Sequence, residues 1–246
     1  MRMNSSTVKE ILARIRDGDY AHPGEEEAIA LVLRRFPPDR ARRILDVGCG
    51  RGGTAQYLQE WGWGKVVGFD IDAVSVAYAQ ATYPQVTFVA CDIYESSARL
   101  AGQFDLICLF TTFYALSDQP AALRELRRLA ASRSFLVIFD YLDLAVKGEA
   151  LPRMEEEGVC WNPIKLKNIG QLCESAGWTI IEVCDISDRF CAWYADLLSR
   201  IEARQDQIVS LAGDDWYRFV HDFYGGMLDT IKQGHLGGII VTARAD

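Results

Sequence analysis

The sequence predicts an α/β fold: a seven-stranded, mostly parallel sheet with helices on both faces, an antiparallel last strand, and a helical cap inserted before that strand. Three observations carry the prediction. Short apolar runs alternate with helical periodicity from Ile44 to Asp140, the pattern of right-handed βαβ crossovers. A turn rich in glycine, Gly48-Cys49-Gly50-Arg51-Gly52-Gly53, joins the first apolar run to the helix after it. Helical pattern then fills residues 187–234, between the sixth apolar run and the last, where a short loop would suffice.

Residues 1–40 read as a helical lid segment. Apolar spacing predicts a helix over 7–15 ending near Gly18, and a second after Pro23 with Glu25, Glu26 and Glu27 in its first turn, where the macrodipole favours acids. Between them lies a polar and aromatic hinge, residues 19–24. The core, 41–186, holds predicted strands at 43–47, 65–70, 86–90, 104–110, 134–140 and 178–184. Asp72 caps the helix after the second strand and Pro84 stops it. Asp118 and Pro120 open the helix after the fourth strand, which carries Arg124, Arg127 and Arg128 outward, and 164–177 is helical. In the cap, 187–234, two helices are expected at 190–211 and 216–233, broken at Gly213-Asp214-Asp215. Residues 235–246 supply the final strand, and the whole reads as one domain.

A net charge of −8 and a pI near 5.0 argue against a phosphate-backbone partner, which needs clustered Lys and Arg. The seven cysteines, Cys49, Cys91, Cys108, Cys160, Cys173, Cys184 and Cys191, form no C-x-x-C pair and read as free thiols of a reducing compartment, with no metal site. No signal core or membrane-length apolar run is visible, so a cytoplasmic protein is expected, with its oligomeric state open.

The glycine turn suits a nucleotide, because glycine admits positive φ and close approach of a ligand, and the following helix offers free N–H groups. Gly48, Gly50 and Gly53 also satisfy the dinucleotide spacing G-x-G-x-x-G. Asp46 discriminates: a carboxylate two residues before the first glycine repels a pyrophosphate and suits a ligand that carries an ammonium and no phosphate.

At these residues the chain resembles the class I, Rossmann-like S-adenosylmethionine-dependent methyltransferases, whose first motif has an acid before Gly-x-Gly-x-Gly. The resemblance implies S-adenosylmethionine as cofactor and S-adenosylhomocysteine as product, held by Asp46, Gly48, Cys49, Gly50 and Gly52. Asp70, ending the second strand about 20 residues on, is the expected ribose ligand, with Ile71 beside it. Cys91, Asp92 and Ile93 follow the third strand, where the family places an acid on the adenine amine, and Phe110 ends the fourth.

For the acceptor the sequence offers candidates rather than a motif. Tyr20 and His22 in the hinge, Phe113 and Tyr114 after the fourth strand, and Asp140 and Tyr141 ending the fifth are expected at the ligand edge of the sheet. The cap is rich in aromatics: Phe190, Trp193, Tyr194, Trp216, Tyr217, Phe219, Phe223 and Tyr224. Trp193, Tyr217, His221 and Tyr224 are taken as acceptor contacts, and Tyr20 and His221 as catalytic candidates.

Beyond the core, residues 185–190, the inserted helices and residues 234–238 resemble bacterial small-molecule methyltransferases of the phosphoethanolamine and sarcosine/dimethylglycine type. That implies methylation of a small molecule at an amine nitrogen, with O- or C-methylation on the same fold as the alternative. An NAD-binding oxidoreductase and a catalytically silent cofactor-binding protein are the readings from other classes.

Overall fold

The computed structural model describes residues 1–145 and 161–245. Ahead of the sheet stand α1 (Ser6–Ile15), whose N-cap Ser5 accepts the Val8 N–H, and α2 (Glu25–Val32). The sheet and its crossovers follow as β1 (Arg43–Val47), α3 (Gly53–Glu60), β2 (Lys65–Asp70), α4 (Ala73–Thr82), β3 (Thr87–Ala90), a short α5 (Ser96–Arg99), β4 (Phe104–Phe110), α6 (Gln119–Leu129) and β5 (Ala130–Asp143). Next come α7 (Leu166–Ser175), β6 (Trp178–Asp185), the cap helices α8 (Ser187–Ala203), α9 (Gln205–Ala212) and α10 (Asp214–Lys232), and β7 (Leu236–Ala245).

The strand order is β3-β2-β1-β4-β5-β7-β6, with β7 antiparallel to both its neighbours, as the sequence predicts. Side-chain alternation sorts the apolar strand residues onto two faces. Ile44, Leu106, Cys108, Phe110, Phe139 and Tyr141 pack with α1, α2 and the cap, whereas Leu45, Val47, Ile107, Leu109 and Ile138 pack with α6 and α7. Both faces are covered, which is why these strands read as continuous apolar runs.

Asp72 and Asp118 cap α4 and α6 as expected, accepting the N–H groups of Val74 at 3.1 Å and Ala121 at 2.8 Å. Three expectations need correction. The cap has three helices, because the chain also breaks at Arg204, whose guanidinium is drawn to Asp17 and the Arg14 carbonyl. Arg127 does not point outward: its Nε donates to the Gly177 carbonyl at 3.0 Å and its guanidinium faces the Trp178 ring. Fifth-strand pairing runs to Asp143, since β7 matches it residue for residue from Phe135 onward.

Six of the cysteines are free thiols, and Cys160 lies outside the described residues. Among the described residues no helix is long and apolar enough to cross a membrane, and no group of His, Cys, Asp and Glu is placed to hold a metal.

Candidate cofactor and acceptor site

The C-terminal ends of β1 and β2 build the first half of the site. The N–H groups of Gly48 and Cys49 both donate to the Phe69 carbonyl, at 2.9 and 3.0 Å, which folds the turn back onto β2. Gly48 has φ +71°, and a Cβ there would meet Thr112 Oγ1 at 2.4 Å, so no other residue fits. At Gly50 the nearest atom to a Cβ would be Ala21 Cβ at 3.9 Å, so this part of the turn is open to a ligand.

Asp70 holds the turn in shape. Its Oδ2 accepts the Gly50 N–H and its Oδ1 the Asp72 N–H, both at 2.8 Å. Asp46 is 2% exposed, and its Oδ2 has no hydrogen-bond partner. Burial, reinforced by the neighbouring Asp70, pushes its carboxyl up to about 7. An orphaned carboxylate oxygen beside a second carboxylate fits a ligand that brings N–H and O–H donors and disfavours a pyrophosphate.

Around this pair, Ile71 is 73% exposed, an apolar platform next to Asp70. Cys91 and Ile93 are buried, and Asp92 caps the turn after β3 by accepting the Tyr94 N–H at 3.0 Å. Cys49 is buried and its thiol is pushed far up, so it stays neutral and is no nucleophile.

The segment between α1 and α2 passes over the turn. Arg16 Nη1 donates to the carbonyls of both Tyr20 and His22. The Tyr20 hydroxyl donates to Glu26 Oε1 at 3.2 Å, at the partly exposed end of this segment. His22 is fully buried, stacked on Phe110 at 4.8 Å between ring centroids. Its Nδ1 faces the Pro23 carbonyl at 3.2 Å, so that nitrogen carries the hydrogen, and Nε2 faces Thr54 Oγ1 at 3.0 Å. Burial pushes the imidazole down to about 3. Neutral and with both nitrogens engaged, His22 is a packing and hydrogen-bonding residue rather than an open acceptor contact, and Phe110 packs against it.

Aromatic rings converge on the other side, at the ends of β4 and β5. Tyr114, Tyr141 and Trp161 have centroids 5.0, 5.1 and 5.2 Å apart pairwise, with planes inclined by 47–83°. The hydroxyls of Tyr141 and Tyr194 share a hydrogen bond, and the Tyr194 ring neighbours that of Tyr224 at 6.1 Å. Trp161 Nε1 is buried without a hydrogen-bond partner. Trp161 and Tyr194 join the expected acceptor residues; the aromatic richness of the cap is the sequence signal for Tyr194, and Trp161 has none, because only the fold brings it to Tyr114.

Several candidates fall elsewhere. Phe113 is fully buried on the opposite face of the sheet, among the α6 and α7 residues, so it is core. The Asp140 carboxylate is occupied by backbone N–H groups of Phe113, Tyr114 and Tyr141, and so shapes the site without an oxygen turned to a ligand. His221 pairs with Glu202 and Asp222 on the flank of the cap, beside the Tyr217 ring, and stays partly exposed although it lies one turn from the buried Tyr224 on the same helix. Neither His221 nor Tyr217 joins the aromatic group. Trp193 is a strut, with its Nε1 donating to Glu27 Oε2 at 2.9 Å.

A family model described as a methyltransferase domain matches residues 20–183, from the hinge to β6. The chain belongs to the methyltransferase-domain family. Among curated relatives, the ajmaline N-methyltransferase of Rauvolfia serpentina is 30% identical over 138 residues, which cover 52% of this chain and 47% of that one. The chain spans about half the length of such relatives or less. Among solved structures, Haemonchus contortus phosphoethanolamine N-methyltransferase 2 in complex with S-adenosyl-L-methionine superposes with a TM-score of 0.86 at 19% identity, covering 99% of this chain and 58% of that one. The [4+2]-cyclase SpnF superposes at 0.76 with 22% identity, covering 99% and 93%. Likeness at that level gives this methyltransferase-family chain its fold.

Proposed function

We propose that the chain is an S-adenosylmethionine-dependent methyltransferase that methylates a small molecule at an amine nitrogen. The observation that carries the cofactor is the unpartnered Oδ2 of Asp46 beside Asp70 at an open glycine turn. In this reading Asp46 faces the cofactor's ammonium, Asp70 accepts ribose hydroxyls, and Ile71 lies against the adenine. The ligand named for the Haemonchus relative supports the same choice.

Bound there, S-adenosylmethionine supplies a methyl group on a sulfonium, an activated leaving group. The protein's task is then alignment and exclusion of water, worth about 7–11 kcal/mol when two reactants are held in line. Tyr114, Tyr141 and Trp161 are suited to this for an amine. Their inclined faces attract the positive charge that builds on the nitrogen as the methyl group is transferred, with about 0.5–2 kcal/mol per contact, and the Trp161 N–H is left to donate to the acceptor's polar end. With His22 neutral, doubly engaged and shifted to about 3, the acceptor is best supplied as a free amine whose proton leaves to solvent after transfer.

The acidic balance of the chain supports a small-molecule acceptor over nucleic acid, and the free thiols support a cytoplasmic setting. The test is turnover of a panel of amine, hydroxyl and activated-carbon acceptors, read as S-adenosylhomocysteine release. Release with an amine supports the reading, release only with a hydroxyl or carbon acceptor reassigns the nucleophile, and cofactor binding without release from any acceptor makes the chain a silent binder.

A further inference from the structure

One carboxylate, with no part in the transfer chemistry, fastens the segment between α1 and α2 to the glycine turn. The Asp19 side chain is 7% exposed. Its Oδ1 stands 2.7 Å from Nε of Arg51, the residue between Gly50 and Gly52. Oδ2 accepts the hydroxyls of Tyr83 at 2.7 Å and Tyr78 at 3.2 Å, both from the α4 region. The Arg51 guanidinium lies over the Tyr78 ring, with Cζ 3.7 Å from its centroid. The backbone is equally close at one point: a Cβ on Gly53 would come within 2.6 Å of the Asp19 carbonyl carbon, whereas Gly50 keeps open space beneath Ala21, the nearest atom being its Cβ at 3.9 Å.

Residues 19–21 therefore run across the face of the turn on which the cofactor is placed, and Asp19 is where that strap is tied down. A ligand held by Asp46 and Asp70 lies beneath it. Tyr20 and His22 follow Asp19 along the same strap, their rings in edge contact, so the tie also sets where the strap's aromatic side chains stand.

We propose that Asp19 is a positioning residue that keeps this strap closed over a bound cofactor and so sets how fast the cofactor leaves. The inference rests on the cofactor reading above. A buried ion pair kept only for stability would act on the ligand-free fold, whereas a tie across the site acts on the dissociation rate. Breaking it lowers the barrier to lifting the strap, because opening already gives up the Asp19 contacts.

Stopped-flow dissociation of S-adenosylhomocysteine from the full chain, with thermal denaturation of the ligand-free protein alongside, separates the two. Asp19→Asn keeps an oxygen for the tyrosine hydroxyls and removes the charge that faces Arg51. Loss of the carboxylate charge that pairs with the Arg51 guanidinium predicts dissociation faster by roughly tenfold to a hundredfold. Tyr83→Phe, which strands no charge, should speed it by roughly threefold to tenfold. Both variants melting lower with dissociation rates equal to wild type overturns the proposal. If Asp19→Asn does not fold, Tyr83→Phe decides by the same criterion. Failure of the wild-type chain to bind S-adenosylhomocysteine is a different result: it overturns the cofactor reading and takes this inference with it.

Discussion

Asp140 accepts the backbone N–H of Phe113 through Oδ2 at 2.7 Å, joining the end of β5 to the turn that follows β4. The same oxygen takes the Tyr114 N–H at 3.3 Å, and Oδ1 takes the Tyr141 N–H at 2.7 Å. The turn so fixed sends two adjacent aromatic rings to opposite faces, Phe113 into the core beside α6 and Tyr114 against Tyr141 and Trp161. Burial drives the Asp140 carboxyl up to about 7, against the pull of these backbone donors.

Replacing Asp140 with Asn sets an amide donor against one of those N–H groups. A buried donor left unpaired costs about 1–3 kcal/mol, so Asp140→Asn should melt lower by that equivalent. Acceptor KM should rise as Tyr114 loses its support, with the S-adenosylhomocysteine Kd within about twofold of wild type. Thermal denaturation and steady-state kinetics check this, and a Kd that rises in step with KM would place Asp140 with the cofactor.

Asp46 predicts a pH dependence. With its carboxyl raised to about 7 in the free protein, it is largely protonated below that pH. A ligand ammonium favours the ionised form, so affinity should rise with pH toward 7 and level off above it, falling by about tenfold per unit on the acid side until the bound-state pKa is reached. Binding titrations between pH 5.5 and 8 should show this slope in the wild type. Asp46→Asn should bind more weakly and with the slope removed, which also separates Asp46 from Asp140, whose carboxyl lies in the same range. A slope that survives in the variant rules Asp46 out as its source.

How much of this the sequence discloses follows from how local each feature is. The glycine turn, Asp46 before it and Asp70 after β2 are fixed by short-range spacing, and all three stand together in the structure. So are the caps at Asp72 and Asp118. Phe113 and Tyr114 look alike in the sequence because the single turn of 3-10 helix that separates their faces has no sequence punctuation. Helical spacing groups His221 with Tyr224, but an acidic neighbour on α8, Glu202, claims it, and that contact is 19 residues away in the chain. The break at Arg204 has no Gly or Pro to announce it. Trp161, Arg16 and Asp19 carry no local signal for one reason: each gains its role from partners brought close only by the completed fold.

On the proposed function, the glycine turn with Asp46 and Asp70 holds S-adenosylmethionine rather than a dinucleotide. Calorimetric titration of the wild type and Asp70→Ala with S-adenosylhomocysteine, with NAD as the competitor, tests it most directly. The expected result is a wild-type complex that NAD does not displace, and a Kd raised roughly tenfold to a hundredfold in Asp70→Ala, the value of a charge-assisted contact to ribose hydroxyls. Tight NAD binding that excess S-adenosylhomocysteine leaves untouched, or an unchanged Kd in Asp70→Ala, would contradict it.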